Sequence, residues 1–144
     1  MSDRTQIVCA QCGAINRIPA ERAADAAKCG QCSTPLFSGR PTDVSGDMLL
    51  RQMNKGSLPV VVDVWAPWCG PCRVMGPEYE KAAAALEPRA RFLKLNSDNE
   101  QALASQFNIR GIPTMILFRD GREVDRVSGA MRAGDIANWV SAHL

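Results

Sequence analysis

The chain has 144 residues, of which 46% are apolar or aromatic, with a formal net charge of +2 and six cysteines. This suits one packed domain with a small appendage and excludes a disordered chain. So slight a charge excess excludes the strongly basic face of a nucleic-acid binder. The most apolar stretch, LPVVVDVWAPW at 58–68, is short and carries Asp63, which excludes a membrane span.

In chain order, the opening MSDRTQIVCAQC holds no apolar run of signal-peptide length. A soluble protein of the reducing cytoplasm is therefore expected. In that compartment paired cysteines mean metal or redox chemistry more often than structural disulfides. Two such pairs follow at once, CAQC at 9–12 and CGQC at 29–32, with sixteen residues between them. Two Cys-x-x-Cys knuckles at this spacing predict a four-thiolate site, Cys9, Cys12, Cys29 and Cys32, holding one tetrahedral Zn²⁺. Gly13 and Gly30 suit tight turns around a metal, whereas the second knuckle has Ser33 where the first has Gly13. Iron could also bind four thiolates, and two small disulfides would use the same residues; the paired knuckles and the lack of an iron–sulfur spacing favour zinc. The segment has few large apolar residues, so it needs a metal, disulfides or a partner to fold. STPLFSGRPTD at 33–43 reads as a linker, which divides the chain into a ribbon and linker over 1–40 and a second domain over 41–144.

From residue 41 the pattern is regular. GDMLLRQMNKG has helical spacing and stops at Gly56. LPVVVDVW is a β-branched run of the kind that forms a strand buried on both faces. A helix is predicted from about Gly70 to Leu86, kinked at Pro77. RFLKLNS is a further strand, NEQALASQF a short helix, and TMILFRDGREVDRVSG a hairpin turning at Asp120–Gly121. A closing helix runs from Ala133. The order β-α-β-α-β-β-α after the opening helix implies an α/β fold with a mixed sheet. The lone histidine, His143, is expected to be a solvated helix-end residue, neither ligand nor base.

The third pair, CGPC at 69–72, lies between the buried strand and the long helix. Cys69 then sits at a helix N-terminus, where unpaired N–H groups and the dipole favour a thiolate. Pro71 fits the first turn, and Cys72 is close enough to close a small, reversible disulfide. Asp63, buried within the preceding strand, should have a raised pKa unless it faces solvent.

VVVDVWAPWCGPCRVMGP, followed by KLNSD, FNIRGIPTMILFRDG and SGA, resembles the active-site region and downstream motifs of the thioredoxin family. The resemblance covers residues 41–144, and the ribbon in front resembles the zinc-binding "thioredoxin 2" subfamily of bacteria. It implies a thioredoxin fold, with Cys69 attacking and Cys72 resolving. It implies that Asp63 takes the proton of Cys72 and that Lys94 tunes Asp63, the lesser alternative for Lys94 being an ordinary exposed strand lysine. It implies a cis bond before Pro113, with the Ile112 backbone offered to an extended substrate. Gly111 and Gly129 would allow close approach, and Trp68, Gly70 and Pro71 would flank the attacking sulfur. Trp65 and Trp139 are read as core. With Gly-Pro between the cysteines and no histidine to stabilise the thiolate, the dithiol should be a reductant.

The function expected is thiol-disulfide exchange on protein disulfides by a monomer. Its electrons would come from an NADPH-dependent thioredoxin reductase, with no nucleic-acid or membrane partner. The alternatives are a redox-regulated zinc-binding chaperone, or an interaction module in which the ribbon recruits partners.

Overall fold

The computed structural model describes residues 4–19 and 26–144, so most of the Ala-rich insert between the first two cysteine pairs lies outside the described residues. A five-stranded mixed sheet carries the larger unit. Its strands are β3 (Thr42–Asp43), β4 (Val60–Trp65), β5 (Arg91–Asn96), β6 (Thr114–Arg119) and β7 (Arg122–Ser128), in the order β3-β5-β4-β6-β7. β4 runs parallel to β5 and antiparallel to β6, which pairs antiparallel with β7. The helices are α1 (Gly46–Lys55), α2 (Gly70–Leu86), α3 (Gln101–Gln106) and α4 (Ala133–Ser141).

Alternation along β4 explains why that strand is apolar on both faces. Val61 joins Met75 and Tyr79 of α2 and Ile136 and Val140 of α4 on one side. Val60 and Val62 join Leu49 and Met53 of α1 and Leu103 of α3 on the other. Local chemistry sets the ends of the elements. Ser45 caps α1 by accepting from the Met48 N–H at 3.1 Å. Asp120 and Gly121 both take positive φ, 53° and 77°, as a type I′ turn between β6 and β7 demands. Pro77 lies within α2 without ending it.

The smaller unit is built on a hairpin that the sequence reading did not foresee, β1 (Arg4–Val8) with β2 (Ile15–Pro19). The stretch read as a linker is also corrected. Leu36 and Phe37 within it are buried, packed with Ile7, Ile18, Cys9 and Cys29 against Leu58 of the larger unit. Thr42 and Asp43 form the edge strand on β5.

The two units meet through Arg91, the first residue of β5, which is 4% exposed. Its guanidinium donates to the Leu36 carbonyl at 2.7 Å and the Val8 carbonyl at 2.8 Å. It also lies 4.2 Å from the centre of the Phe37 ring. Gln52 of α1 donates to the same Val8 carbonyl at 3.0 Å. A buried cation is costly unless its donors are satisfied, and the planar fork of arginine can serve two carbonyls while stacking on a ring. Further bonds run along α1, from Gln6 to Ser57 and from the Arg51 side chain to the Gly13 carbonyl.

His143 is a second correction. Its Nε2 lies 2.9 Å from Asp125 Oδ2, which also accepts from Trp139 Nε1 at 3.0 Å, so the ring is held against β7 and only partly solvated. Trp139 is half-buried against the α2–α4 core, in keeping with its expected packing role.

Candidate active site and metal centre

β4 delivers the chain through Ala66, Pro67 and Trp68 to Cys69, which caps α2. The Cys69 Sγ accepts from the Cys72 N–H at 3.2 Å, and the first turn of the helix carries no acidic residue to oppose the dipole. Cys69 and Cys72 are joined in a disulfide, their Cα atoms 5.2 Å apart. Both are buried beside Ala66, with Trp65 and Ile112 at the edge.

Asp63 lies two residues before the end of β4. It is 1% exposed, and neither carboxylate oxygen has a hydrogen-bond partner. Burial pushes its pKa up to about 7; Lys94 opposes that rise and Asp43 adds to it. Lys94 stands beside Asp63 in register on the parallel strand β5 and is half-buried, not an ordinary exposed lysine. Its ammonium is 4.3 Å from the centre of the Trp65 ring, and Trp65 Nε1 donates to Asp43 at 3.1 Å. Trp65 is therefore a half-buried bridge between Lys94 and Asp43, a correction to the core position expected for it. Asp43 was missed by sequence reasoning because it lies in the presumed linker.

The Ile112–Pro113 bond is cis, and the Ile112 carbonyl lies 3.7 Å from Cys69 Sγ. An open groove of about 510 Å³ runs past the sulfur, lined by Trp68, Cys69, Gly70, Pro71, Gly111 and Ile112 among the residues singled out from sequence. Trp68 is 69% exposed, and Asp98 holds its indole N–H at 3.1 Å. A Cβ at Gly70 or Gly111 would meet nothing within 4 Å, so these positions leave the groove open. Pro113 and Gly129 stand behind it, the Gly129 N–H bonded to the Pro113 carbonyl at 2.9 Å, with Gly129 at a φ of 100° that favours glycine. Sequence reasoning missed the far wall, Ser97, Ala104, Ile109 and Arg110. Ile109 and Arg110 directly precede Gly111 and were within reach of the motif; Ser97 and Ala104 arrive from α3 and the segment before it and carry no local signal.

In the smaller unit the sulfurs of Cys9, Cys12, Cys29 and Cys32 all lie within 4.8 Å of one another. None of the four is in a disulfide. Tetrahedral zinc with Zn–S bonds of about 2.3 Å requires sulfur–sulfur edges of about 3.8 Å. The Cys9–Cys32 and Cys12–Cys29 separations are 3.7 and 3.6 Å, so the donor set fits the ion. Both of these pairs join one knuckle to the other, as a shared ion requires. Each knuckle turns in the same way. The Gly13 N–H bonds the Cys9 carbonyl and the Ser33 N–H bonds the Cys29 carbonyl, both at 2.9 Å. Gly13 has a φ of 79° and Ser33 one of 64°, so serine takes the left-handed position that glycine holds in the first knuckle. The Cys29 thiol is brought down to about 6 by the Cys32 N–H, the Asn16 side chain and the Gln31 N–H. Cys12 is pushed up to about 12: the Ala14 N–H lowers it, but desolvation and its three sulfur neighbours outweigh that. Four sulfurs this close repel as thiolates, and a divalent cation relieves the repulsion while releasing protons.

Known proteins carry the same two parts. Residues 41–142 match the family described as "Thioredoxin", and residues 8–34 match the zinc-ribbon family described as "Thioredoxin 2, N-terminal". Thioredoxin C-3 of Corynebacterium nephridii is 38% identical over 138 residues, covering 96% of this chain and 94% of that protein. Thioredoxin 1 of Synechococcus elongatus is 42% identical over 94 residues, covering 65% of this chain and 88% of that protein. Among solved structures, the thioredoxin of Malassezia sympodialis superposes with a TM-score of 0.68 at 30% identity, covering 74% of this chain and 93% of that one. A mutant thioredoxin of Halobacterium salinarum gives 0.64 at 32% identity, covering 74% and 92%.

Proposed function

The chain belongs to the thioredoxin family of thiol-disulfide oxidoreductases, and from that premise we propose that it reduces protein disulfides through Cys69-Gly-Pro-Cys72. The observation that carries the reading is the Cys69–Cys72 disulfide at the N-terminus of α2, opening on a groove, with the unpartnered buried carboxyl group of Asp63 on the strand that leads into it.

In the reduced protein the Cys69 thiolate, stabilised by the Cys72 N–H and the helix end, attacks one sulfur of a substrate disulfide. The substrate's other sulfur leaves as a thiolate, and a mixed disulfide with Cys69 remains. Asp63 takes the proton of Cys72, for which a group titrating near neutrality is well matched. Cys72 then attacks Cys69 Sγ, the substrate departs reduced, and the protein is left in the disulfide form described above. Lys94 favours the ionised Asp63 and so sets the pH at which that base acts. Trp68, Gly70, Pro71, Gly111, Ile112, Pro113 and Gly129 make the substrate surface, with the Ile112 backbone pairing an extended chain. A thioredoxin reductase using NADPH restores the dithiol.

Cys9, Cys12, Cys29 and Cys32 hold a zinc ion that cross-links the small unit and takes no part in the exchange. Cysteines kept as metal ligands and not as disulfides are the usual arrangement in a reducing compartment, which supports a cytoplasmic protein. The test is insulin-disulfide reduction with NADPH and thioredoxin reductase. The expected result is loss of turnover to background on Cys69→Ser and its retention in a Cys9/Cys12 double serine variant; activity surviving Cys69→Ser would overturn the reading.

A further inference from the structure

Resting on the oxidoreductase reading, we propose that Arg110 makes the groove select disulfides whose attacked cysteine has an acidic residue two positions away. Among the residues lining the groove, Arg110 alone is charged. It is exposed, and among the described residues it makes no ion pair and no side-chain hydrogen bond. Its charge is therefore free for a ligand.

The position of the charge relative to the chemistry is set by the backbone. Ile112, two residues on, has its carbonyl 3.7 Å from Cys69 Sγ. Ile112 makes no backbone–backbone hydrogen bond among the described residues, so its N–H and C=O can receive an extended chain. An extended substrate puts residues two apart on one face, about 7 Å along the chain, and Arg110 lines the same groove as Cys69 and Ile112, so the long arginine side chain can reach the residue two from the attacked cysteine. A carboxylate there is attracted and an ammonium repelled.

Asp98, whose carboxylate accepts from the Trp68 indole at 3.1 Å, does not itself line the groove. The preference is also local and not a property of the whole surface, since residues 41–144 carry twelve Lys/Arg and twelve Asp/Glu. The chemistry is unchanged by it. A bond forms between Cys69 Sγ and the attacked sulfur as the substrate S–S bond breaks, and Cys72 displaces the reduced substrate, two electrons passing from dithiol to peptide.

The test uses the full-length, pre-reduced protein and three peptides, each with one intramolecular disulfide and with Glu, Gln or Lys two residues to either side of the attacked cysteine. Second-order rates of peptide reduction are read by acid quenching and chromatography. The Glu peptide is expected to react about fivefold faster than the Lys peptide at low salt, the difference between one exposed attraction and one repulsion. The ratio should approach one at about 1 M salt, where the screening length falls to about 3 Å. Arg110→Lys should keep the order and Arg110→Glu should invert it. A Glu-to-Lys ratio of one in the wild type at low salt, or a ratio that Arg110→Glu does not move, overturns the proposal. A Gln peptide that is not reduced through Cys69 would instead fail the oxidoreductase reading, and this proposal with it.

Discussion

Cys29–Cys32 and Cys69–Cys72 begin with almost the same turn. In the first, the Gln31 N–H lies 3.4 Å from Cys29 Sγ and the Ser33 N–H bonds the Cys29 carbonyl at 2.9 Å. In the second, the Cys72 N–H lies 3.2 Å from Cys69 Sγ and the Arg73 N–H bonds the Cys69 carbonyl at 3.2 Å. They diverge at the next residue. Ser33 turns left-handed and the chain doubles back, so that the Cys29 N–H meets the Thr34 carbonyl at 2.8 Å. Arg73 stays helical, and α2 runs on to Leu86. One turn therefore faces a second knuckle that brings two more sulfurs, and the other faces only its own partner. The lesson is that the residues within a Cys-x-x-Cys decide less than how the chain leaves it, and what it meets.

The largest way to break the comparison is to remove the metal. Structural zinc contributes on the order of 10 kcal/mol to small four-ligand units near neutral pH. Chelation should abolish hydrogen-exchange protection over 8–19 and 26–34 while the β4–β5–β6 core keeps its own. Unchanged protection in both regions would show that the sulfur cluster needs no ion.

Next comes Asp63, which has no counterpart in the ribbon. Its folded-state pKa, about 7, lies above the ordinary carboxylate value, so the native state holds the proton more tightly than the unfolded chain between roughly pH 4 and 7. Its destabilising effect is thus absent at low pH, grows as pH rises through that window, and is complete above it. Asp63→Asn should stabilise the protein at pH 8 by up to about 4 kcal/mol and hardly at all at pH 4. The check is denaturant unfolding at both pH values. The same variant should slow release of the mixed disulfide and flatten its pH profile near neutrality. A pH-independent gain would contradict the burial argument.

Arg91 ties the two regions together. Arg91→Met keeps bulk but leaves the Leu36 carbonyl without its charged donor and takes one of two donors from the Val8 carbonyl. A cost of about 2–3 kcal/mol is expected, read as a lower Tm and as faster zinc release to a chromophoric chelator. Release at the wild-type rate would mean that the ribbon holds its shape without the contact. The smallest effect belongs to Ser33→Gly, which relieves a left-handed serine but adds freedom to the unfolded chain. A net gain of about 0.5–1 kcal/mol is expected in denaturant unfolding, with Gly13→Ala as the opposite-signed control; a loss at Ser33→Gly would mean that the hydroxyl matters more than the backbone.

Where an element announces itself within its own residues, it was legible in advance. The limits of α2, the Asp120–Gly121 turn and the burial of β4 follow from local spacing, capping and apolar pattern. The β1–β2 hairpin was not legible, because RTQIV and INRIP hold too few apolar residues to show a strand period. Leu36 and Phe37 looked like linker because the residues that bury them, Ile7 and Ile18 before and Leu58 and Arg91 after, are distant in the chain. Trp65 and His143 were misread for the same reason, their partners being Asp43, Lys94 and Asp125. At the candidate site the cysteines and Asp63 could be named from the chain and the cis Ile-Pro bond from the family resemblance, but Ser97 and Ala104 of the far wall could not.

The sequence alone determined that six cysteines stand in three pairs, that two pairs sit in a segment with little else to bury, and that the third stands between a buried strand and a helix. Those are consequences of covalent order and of the short-range preferences of the backbone. Only the tertiary structure decided that Leu36 and Phe37 pack into the ribbon, that the buried Arg91 guanidinium ties the ribbon to the sheet, and that an arginine from the loop after α3 lines the groove of the exchanging sulfur. Each of those is a meeting of groups far apart in the chain, and burial and electrostatics act on distance in space, which the order of residues does not contain.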